Sequence, residues 1–206
     1  MSAMSDAVRP GWVCFDVGAH SGYHSLVLAA LTGNEGRVHA FEPLPFNLRR
    51  LATTIERNNL GSIVHVHAIA LSDRNGPAAI VGSASARGSG RGVLVGGRGE
   101  AALRRRGFPE IAVEQRRIDD LIGQDGIAAP QFIKVDVEGA EPAVLRGAMN
   151  TLHTVRPVLA IEVHSAASAV ECADLLTSLG YRLRVIEDQE DVRCLVLATS
   201  TLAPAS

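Results

Sequence analysis

The segment Asp16-Val17-Gly18-Ala19-His20-Ser21-Gly22 follows the apolar run Trp12-Val13-Cys14-Phe15 and leads into the helical pattern Tyr23 to Leu31. A short apolar strand that ends in an acid, turns through two glycines and enters a helix is the repeating unit of an α/β sheet. Gly18 would let backbone approach a ligand where a Cβ would collide, and Gly22 would let the helix start pack close to the strand. The spacing is D-x-G-x-x-x-G, which is not the G-x-G-x-x-G of the dinucleotide-binding fingerprint.

The rest of the chain keeps this alternation. Strands are predicted near 12–16, 37–41, 63–67, 131–136, 157–162, 182–186 and 192–198, and helices near 22–32, 46–59, 117–123, 141–152 and 166–179. Pro45 suits the first turn of the second helix, and Gly180 suits the C-cap of the last. The pattern predicts a mostly parallel sheet. The last two strands, separated by Asp188 to Asp191, read as an antiparallel hairpin at its end.

Charged residues gather where such sheets build their sites, at the carboxyl ends of strands. Arg37-Val38-His39-Ala40-Phe41 ends in Glu42, which lies 20 residues after Gly22. That is about the offset at which doubly wound folds set an acid against a ribose. Gln131-Phe132-Ile133-Lys134-Val135-Asp136-Val137-Glu138 carries the single lysine of the chain, Lys134, on the same strand face as Asp136, with Glu138 continuing that side. Burying such charges is costly unless they pair or meet a ligand, so Asp136 and Glu138 read as functional. Glu141 reads as a favourable charge at a helix N-terminus. Glu162 and His164 share a face at the end of Val158-Leu159-Ala160-Ile161 and should converge with Asp136 on one pocket mouth. Two roles stay open for them. They could supply a general base for an acceptor hydroxyl, or Asp136, Glu162 and His164 could hold Mg²⁺ or another divalent cation that acidifies it. His39, His65 and His67 read as ordinary sheet residues, and His20 as a member of the glycine turn.

Composition narrows the classes. The chain has 206 residues, 47% of them hydrophobic, with a net charge of −2. It is long enough for one domain with a full core, and its charge balance gives no reason to expect an anionic surface as partner. No apolar run approaches the ~20 residues of a membrane helix. Met1 to Pro10 is short and polar, unlike a signal peptide, so a cytoplasmic location is expected. Cys14, Cys172 and Cys194 are scattered and odd in number, which predicts buried thiols rather than a disulfide or metal site. Arginine outnumbers lysine 19 to one, a bias that says little about function. The segment 82–107 breaks the alternation with eight Gly and six Arg, and offers only Val93-Leu94-Val95 as a strand. It is expected to be either a solvated insertion or an acceptor-binding lid. The chain ends in a tail at 199–206.

Taken together, these motifs resemble the FkbM family of S-adenosylmethionine (SAM) methyltransferases. The likeness runs through Phe15 to Gly22, Ala40-Phe41-Glu42-Pro43, Ala70-Leu71-Ser72-Asp73, Ile118-Asp119-Asp120-Leu121, Ile133 to Glu141, Val144-Leu145-Arg146-Gly147-Ala148 and Ile161-Glu162-Val163-His164. It covers roughly residues 11 to 187, in the family's order. It implies a single-domain class I, Rossmann-like α/β fold: a mostly parallel seven-stranded sheet, a C-terminal antiparallel hairpin and helices on both faces. It also implies transfer of a methyl group from SAM to a hydroxyl of a small molecule such as a sugar or polyketide. Asp16, Gly18, Ala19, His20, Gly22, Glu42, Ser72 and Asp73 would line the cofactor cleft, with Asp136 and Glu138 near the methionine end. His164, Glu162, Asp136 and Lys134 would serve catalysis. A homodimer is a plausible way to cover the cofactor. A silent SAM-binding scaffold is the alternative. A nucleic-acid methyltransferase fits less well, because the strand-end motif is Asp-Val-Glu-Gly and aromatics make up only 4% of the chain. A NAD-dependent oxidoreductase lacks its glycine spacing.

Overall fold

The computed structural model describes residues 2–82, 92–95, 100–189 and 193–202. Half of the proposed lid at 82–107 (83–91 and 96–99) and half of the tail at 199–206 (203–206) fall outside these residues. Seven strands form the main sheet: β1 (Val13–Val17), β2 (Arg37–Phe41), β3 (Val64–His67), β8 (Phe132–Val135), β9 (Val158–Val163), β10 (Tyr181–Gln189) and β11 (Arg193–Ser200). Their order is β10-β11-β9-β8-β1-β2-β3. Strands β3, β2, β1, β8 and β9 pair in parallel, while β11 runs antiparallel to both β9 and β10. This is the class I methyltransferase order, with the terminal hairpin expected from the sequence.

Strand alternation divides the core into two layers. Phe15, Val17, Phe41, Ile133, Val135, Leu159 and Ile161 face one side. There they meet α5 (Ile118–Gly123), α6 (Glu141–Arg146), α7 (Met149–Thr154) and α8 (Ala166–Ser178). Cys14, Val38, Ala40, Phe132 and Ala160 face the other, against α1 (Ser2–Ala7), α2 (Tyr23–Thr32) and α3 (Pro45–Arg57). Burial pushes the Cys14 and Cys172 thiols up to about 12, so both behave as inert core groups, as expected. No helix among the described residues is long and apolar enough to cross a membrane.

Three features depart from the sequence reading. A second sheet, of order β4-β7-β5-β6, is built from β4 (Ala70–Leu71), β5 (Gly76–Gly82), β6 (Gly92–Leu94) and β7 (Glu110–Arg116). Only Val93 and Leu94 of it were anticipated, and a short helix, α4 (Glu100–Arg105), was not. The helix predicted over 141–152 is broken at Gly147 and Ala148 into α6 and α7. A Cβ on Gly147 would lie 2.0 Å from the Ser72 carbonyl oxygen, so the break lets the loop after β4 nest there. The Asp119 carboxylate then accepts the amides of Asn150 and Thr151 at 3.0 and 2.9 Å, capping α7 from a neighbouring helix. Finally, the first ten residues are not merely an extension: Met4 and Val8 are buried in the α2–α3 layer.

Candidate active site

A cavity of about 360 Å³ opens at the carboxyl ends of β1, β2, β8 and β9, within the size range of small-molecule sites. Asp16 lies in register with Lys134 on β8 and with Ala40 on β2, and Ala160 of β9 flanks Lys134. The two alanines leave room for the buried charges between them. Lys134 Nζ lies 3.3 Å from Asp16 Oδ1 and 3.3 Å from Asp136 Oδ2, and donates to the Gly18 carbonyl at 3.2 Å. Burial works against this ammonium, but the two carboxylates outweigh it and raise its pKa above the ordinary lysine value. Its three N–H donors face three acceptors, so Lys134 acts as a structural cation at the wall of the cavity. Asp16 is 0% exposed and also accepts from Ser25 Oγ at 2.6 Å, so it fastens the strand to α2 rather than touching a ligand.

The glycine turn is held by its neighbours. Phe41 O accepts the amides of Gly18 and Ala19, both at 3.0 Å. Gly18 has φ +79°, and a Cβ there would lie 1.9 Å from the Asp136 carbonyl oxygen. The close approach that requires glycine is therefore to the β8 loop, not to a ligand. A Cβ on Gly22, φ +90°, would strike Leu51 and Thr54 of α3 rather than the strand. Glu42 ties the turn together: Oε2 accepts the His20 amide at 2.9 Å, and Oε1 accepts the Leu44 amide at 2.9 Å and the Asn47 side chain at 3.2 Å. Burial raises the Glu42 pKa despite these donors. Oε2 keeps a lone pair for a ligand hydroxyl, and Glu42 lines the cavity with Gly18, Ala19, His20, Asn47 and Asp136. Ser72 and Asp73 do not. Ser72 Oγ lies 3.4 Å from Asp73, and Asp73 accepts from Arg146 Nε at 3.1 Å, so that wall is instead Ile69, Ala70 and Leu71, with Ile80 and Leu94 from the second sheet.

At the opposite end stands a carboxylate–histidine cluster. His164 Nδ1 lies 2.6 Å from Oε1 of Glu141, which is fully buried and also accepts the Gly139 amide at 2.8 Å. His164 Nε2 is buried, makes no hydrogen bond, and faces Asp136 Oδ1 at 3.5 Å, Glu162 Oε1 at 3.6 Å and Glu138 Oε2 at 3.7 Å. Burial opposes a charge on His164, but the Glu141 hydrogen bond and the surrounding acids outweigh it and raise its pKa. Burial likewise pushes the Asp136 carboxyl up, and Lys134 and His164 pull it below its usual range. Asp136, Glu138, Glu162 and His164 thus meet, as their strand-end spacing predicted. Glu141 was assigned only to a helix N-terminus, and nothing local shows that it reaches His164, 23 residues on. His24 was also missed. It lines the cavity from the first turn of α2, where burial, then Lys134, lowers its pKa. Its place two residues after Gly22, on the turn that faces the pocket, was the available signal.

The family model for the methyltransferase FkbM domain matches residues 16–183, which contain the glycine turn, Glu42 and the whole cluster. The chain belongs to the FkbM methyltransferase family. It is 30% identical over 208 residues to the 31-O-demethyl-FK506 methyltransferase FkbM of Streptomyces tacrolimicus, covering 88% of this chain and 76% of that protein. It is 27% identical over 165 residues to the hexuronic acid methyltransferase AglP of Haloferax volcanii, covering 80% of this chain and 61% of that one. The crystal structure of a methyltransferase FkbM from Methylobacillus flagellatus KT superimposes with a TM-score of 0.64 at 22% identity, over 95% of this chain and 50% of the other. The chain thus spans 50 to 76% of the length of these proteins.

Proposed function

We propose that this chain binds SAM along the cavity and transfers its methyl group to a hydroxyl of a small-molecule acceptor. The observation that carries this reading is one cavity with two unlike sides: a Glu42-fastened glycine turn on one, and Asp136, Glu138 and Glu162, backed by His164, on the other. The residues fit the cofactor. Glu42 retains an acceptor position for a ribose hydroxyl, Leu71, Ile80 and Leu94 offer an apolar wall for a purine, and the acidic end suits a positively charged sulfonium and amine. Bound there, SAM supplies an activated methyl group on sulfur.

The chain's own residues then have two tasks. The pocket walls align the acceptor oxygen in line with the methyl carbon and exclude water. The Asp136–Glu162–His164 cluster receives the hydroxyl proton as the new C–O bond forms and the S–CH₃ bond breaks. An oxygen acceptor is supported by the name of one relative, a 31-O-demethyl-FK506 methyltransferase, and a small-molecule acceptor by the other, a hexuronic acid methyltransferase. The test is calorimetric titration with SAM, S-adenosylhomocysteine and NAD, followed by mass spectrometry of hydroxylated acceptors incubated with SAM. Binding of the two adenosyl-sulfur ligands without NAD, and a product heavier by one methylene, is the expected result. Binding with no product from a broad panel would favour a silent scaffold, and NAD binding alone would overturn the reading.

A further inference from the structure

We propose that Asp136, Glu138 and His164 form a site for a divalent transition-metal ion at the acceptor end of the cavity. Its use in catalysis rests on the methyl-transfer reading above; its existence does not.

The argument begins with the unsatisfied atom. His164 is 8% exposed at its side chain, and its Nε2 is buried without a hydrogen bond while aimed at three carboxylate oxygens 3.5 to 3.7 Å away. With Nδ1 held at Glu141, Nε2 is the ring nitrogen turned toward the three carboxylate oxygens, and an ion between them would take its lone pair in place of a proton. The distances are long for hydrogen bonds but suit donors that share an ion. Ligands ~2.2 Å from one ion stand roughly 3.1 Å apart when cis and about 4.4 Å when trans. One ligand atom each from Asp136, Glu138 and His164 lie within 4.8 Å of one another.

Three further relationships agree. The Glu141–His164 contact is the arrangement by which a carboxylate fixes the tautomer and aim of a metal-bound imidazole. Asp136 divides its oxygens, Oδ2 toward Lys134 and Oδ1 toward His164, so the nearby ammonium does not consume the oxygen that faces the cluster. The cluster is also rich in acids. Asp136, Glu138, Glu141 and Glu162 surround His164, and Lys134 is shared with Asp16.

The donor set selects the ion. Two carboxylates alone would suit Mg²⁺, but an imidazole nitrogen favours Mn²⁺, Fe²⁺, Co²⁺ or Zn²⁺ over it. This changes the sequence expectation in two ways: Glu138 replaces Glu162 as the third ligand, and Mg²⁺ ceases to be the natural occupant. Such an ion would take the acceptor hydroxyl as a further ligand and lower its pKa. Glu162, beside the ion, would then accept the proton as the oxygen attacks the methyl carbon.

The test uses the whole chain, stripped with chelator and titrated with Mn²⁺ while free Mn²⁺ is followed by electron paramagnetic resonance. One Mn²⁺ per chain is expected, weakened about tenfold or more in Glu138→Gln and in His164→Ala. Mg²⁺ should displace it only at large excess. No binding, or binding unchanged in both variants, overturns the proposal and leaves His164 as an imidazolium paired with the acids. Equal affinity for Mg²⁺ and Mn²⁺ overturns the imidazole as a ligand. Calorimetry with S-adenosylhomocysteine on the same samples separates the two readings. Its binding without Mn²⁺ sinks the ion site alone, whereas Mn²⁺ binding without it supports the ion site and sinks the methyl-transfer reading.

Discussion

Glu141 Oε1 lies 2.6 Å from His164 Nδ1, and this contact joins the start of α6 to the end of β9 inside the protein. It fixes which way the imidazole faces. Glu141→Gln keeps the shape and removes the charge, so it should cut methyl transfer about 10- to 100-fold while the affinity for S-adenosylhomocysteine stays within about twofold. Turnover and calorimetry on the same preparation check this. A parallel loss of both would mean that Glu141 holds the whole pocket rather than one ring.

Gly18→Ala should be among the most damaging single-methyl additions. The φ of +79° strains any other residue, and the new Cβ would meet a backbone carbonyl that has no rotamer to escape into. Strain and overpacking together amount to about 2–4 kcal/mol. Gly61→Ala, where a Cβ would meet nothing within 4 Å, is the control and should shift stability by less than about 0.5 kcal/mol. Urea unfolding of the two variants measures the contrast.

Lys134→Met removes the cation from between Asp16 and Asp136. Asp16 is 0% exposed, so the substitution strands a buried charge and should cost about 3 kcal/mol or more in chemical denaturation. A double variant, Lys134→Met with Asp16→Asn, should recover part of that loss. If it recovers none, the pair is not the unit that matters.

Glu42→Ala leaves the amides of His20 and Leu44 without their acceptor, loosening the glycine turn and removing the proposed ribose contact together. The dissociation constant for S-adenosylhomocysteine should rise by about tenfold or more. Glu42→Gln should rise less, because one oxygen still accepts.

Acid should weaken the fold through the β2–β3 histidines. Burial, then His67, His65 and Arg37, push His39 down to about 4, and burial, then His65, also lowers His67. His39 Nδ1 and His67 Nε2 are 2.9 Å apart, a contact that needs one of them to accept. The unfolded chain takes up protons near pH 6.5 that the native state refuses until about 4. Stability is therefore full above that range and declines as pH falls from 6.5 to 4. Solvent screening at these half-buried rings leaves about 1 kcal/mol. Melting temperatures from pH 7 to 5 should fall, and fall less in His39→Phe, which keeps the ring packing against Phe15.

What could be read from the sequence was whatever announced itself within a few residues. The apolar strand ending in Asp16, its two glycines, and the Lys134-Val135-Asp136 alternation each state their element and face locally. Glu162 and His164 share a strand face, so their convergence with Asp136 followed from two-residue periodicity. The reach of Glu141 to His164 is a product of how α6 sits on β9, and nothing near Glu141 shows it. The second sheet escaped for a related reason. Gly76-Pro77-Ala78-Ala79-Ile80-Val81-Gly82 has little apolar contrast and opens on Gly-Pro, and it becomes a strand because β7 pairs with it. Gly147 likewise looked compatible with one long helix. The close approach of the Ser72 carbonyl, 75 residues earlier in the chain, is what requires glycine at that break.

Lys134 has one more consequence, for anyone handling the protein at the bench. It is the single lysine of this sequence and only 6% of its side chain is exposed, so an amine-reactive reagent should leave it largely unmarked in the native fold. Its label is added as Lys134 leaves its carboxylates and meets the reagent through the cavity. The mass spectrum of a labelling time course would then report openings at the carboxyl end of β8 directly, with no engineered probe.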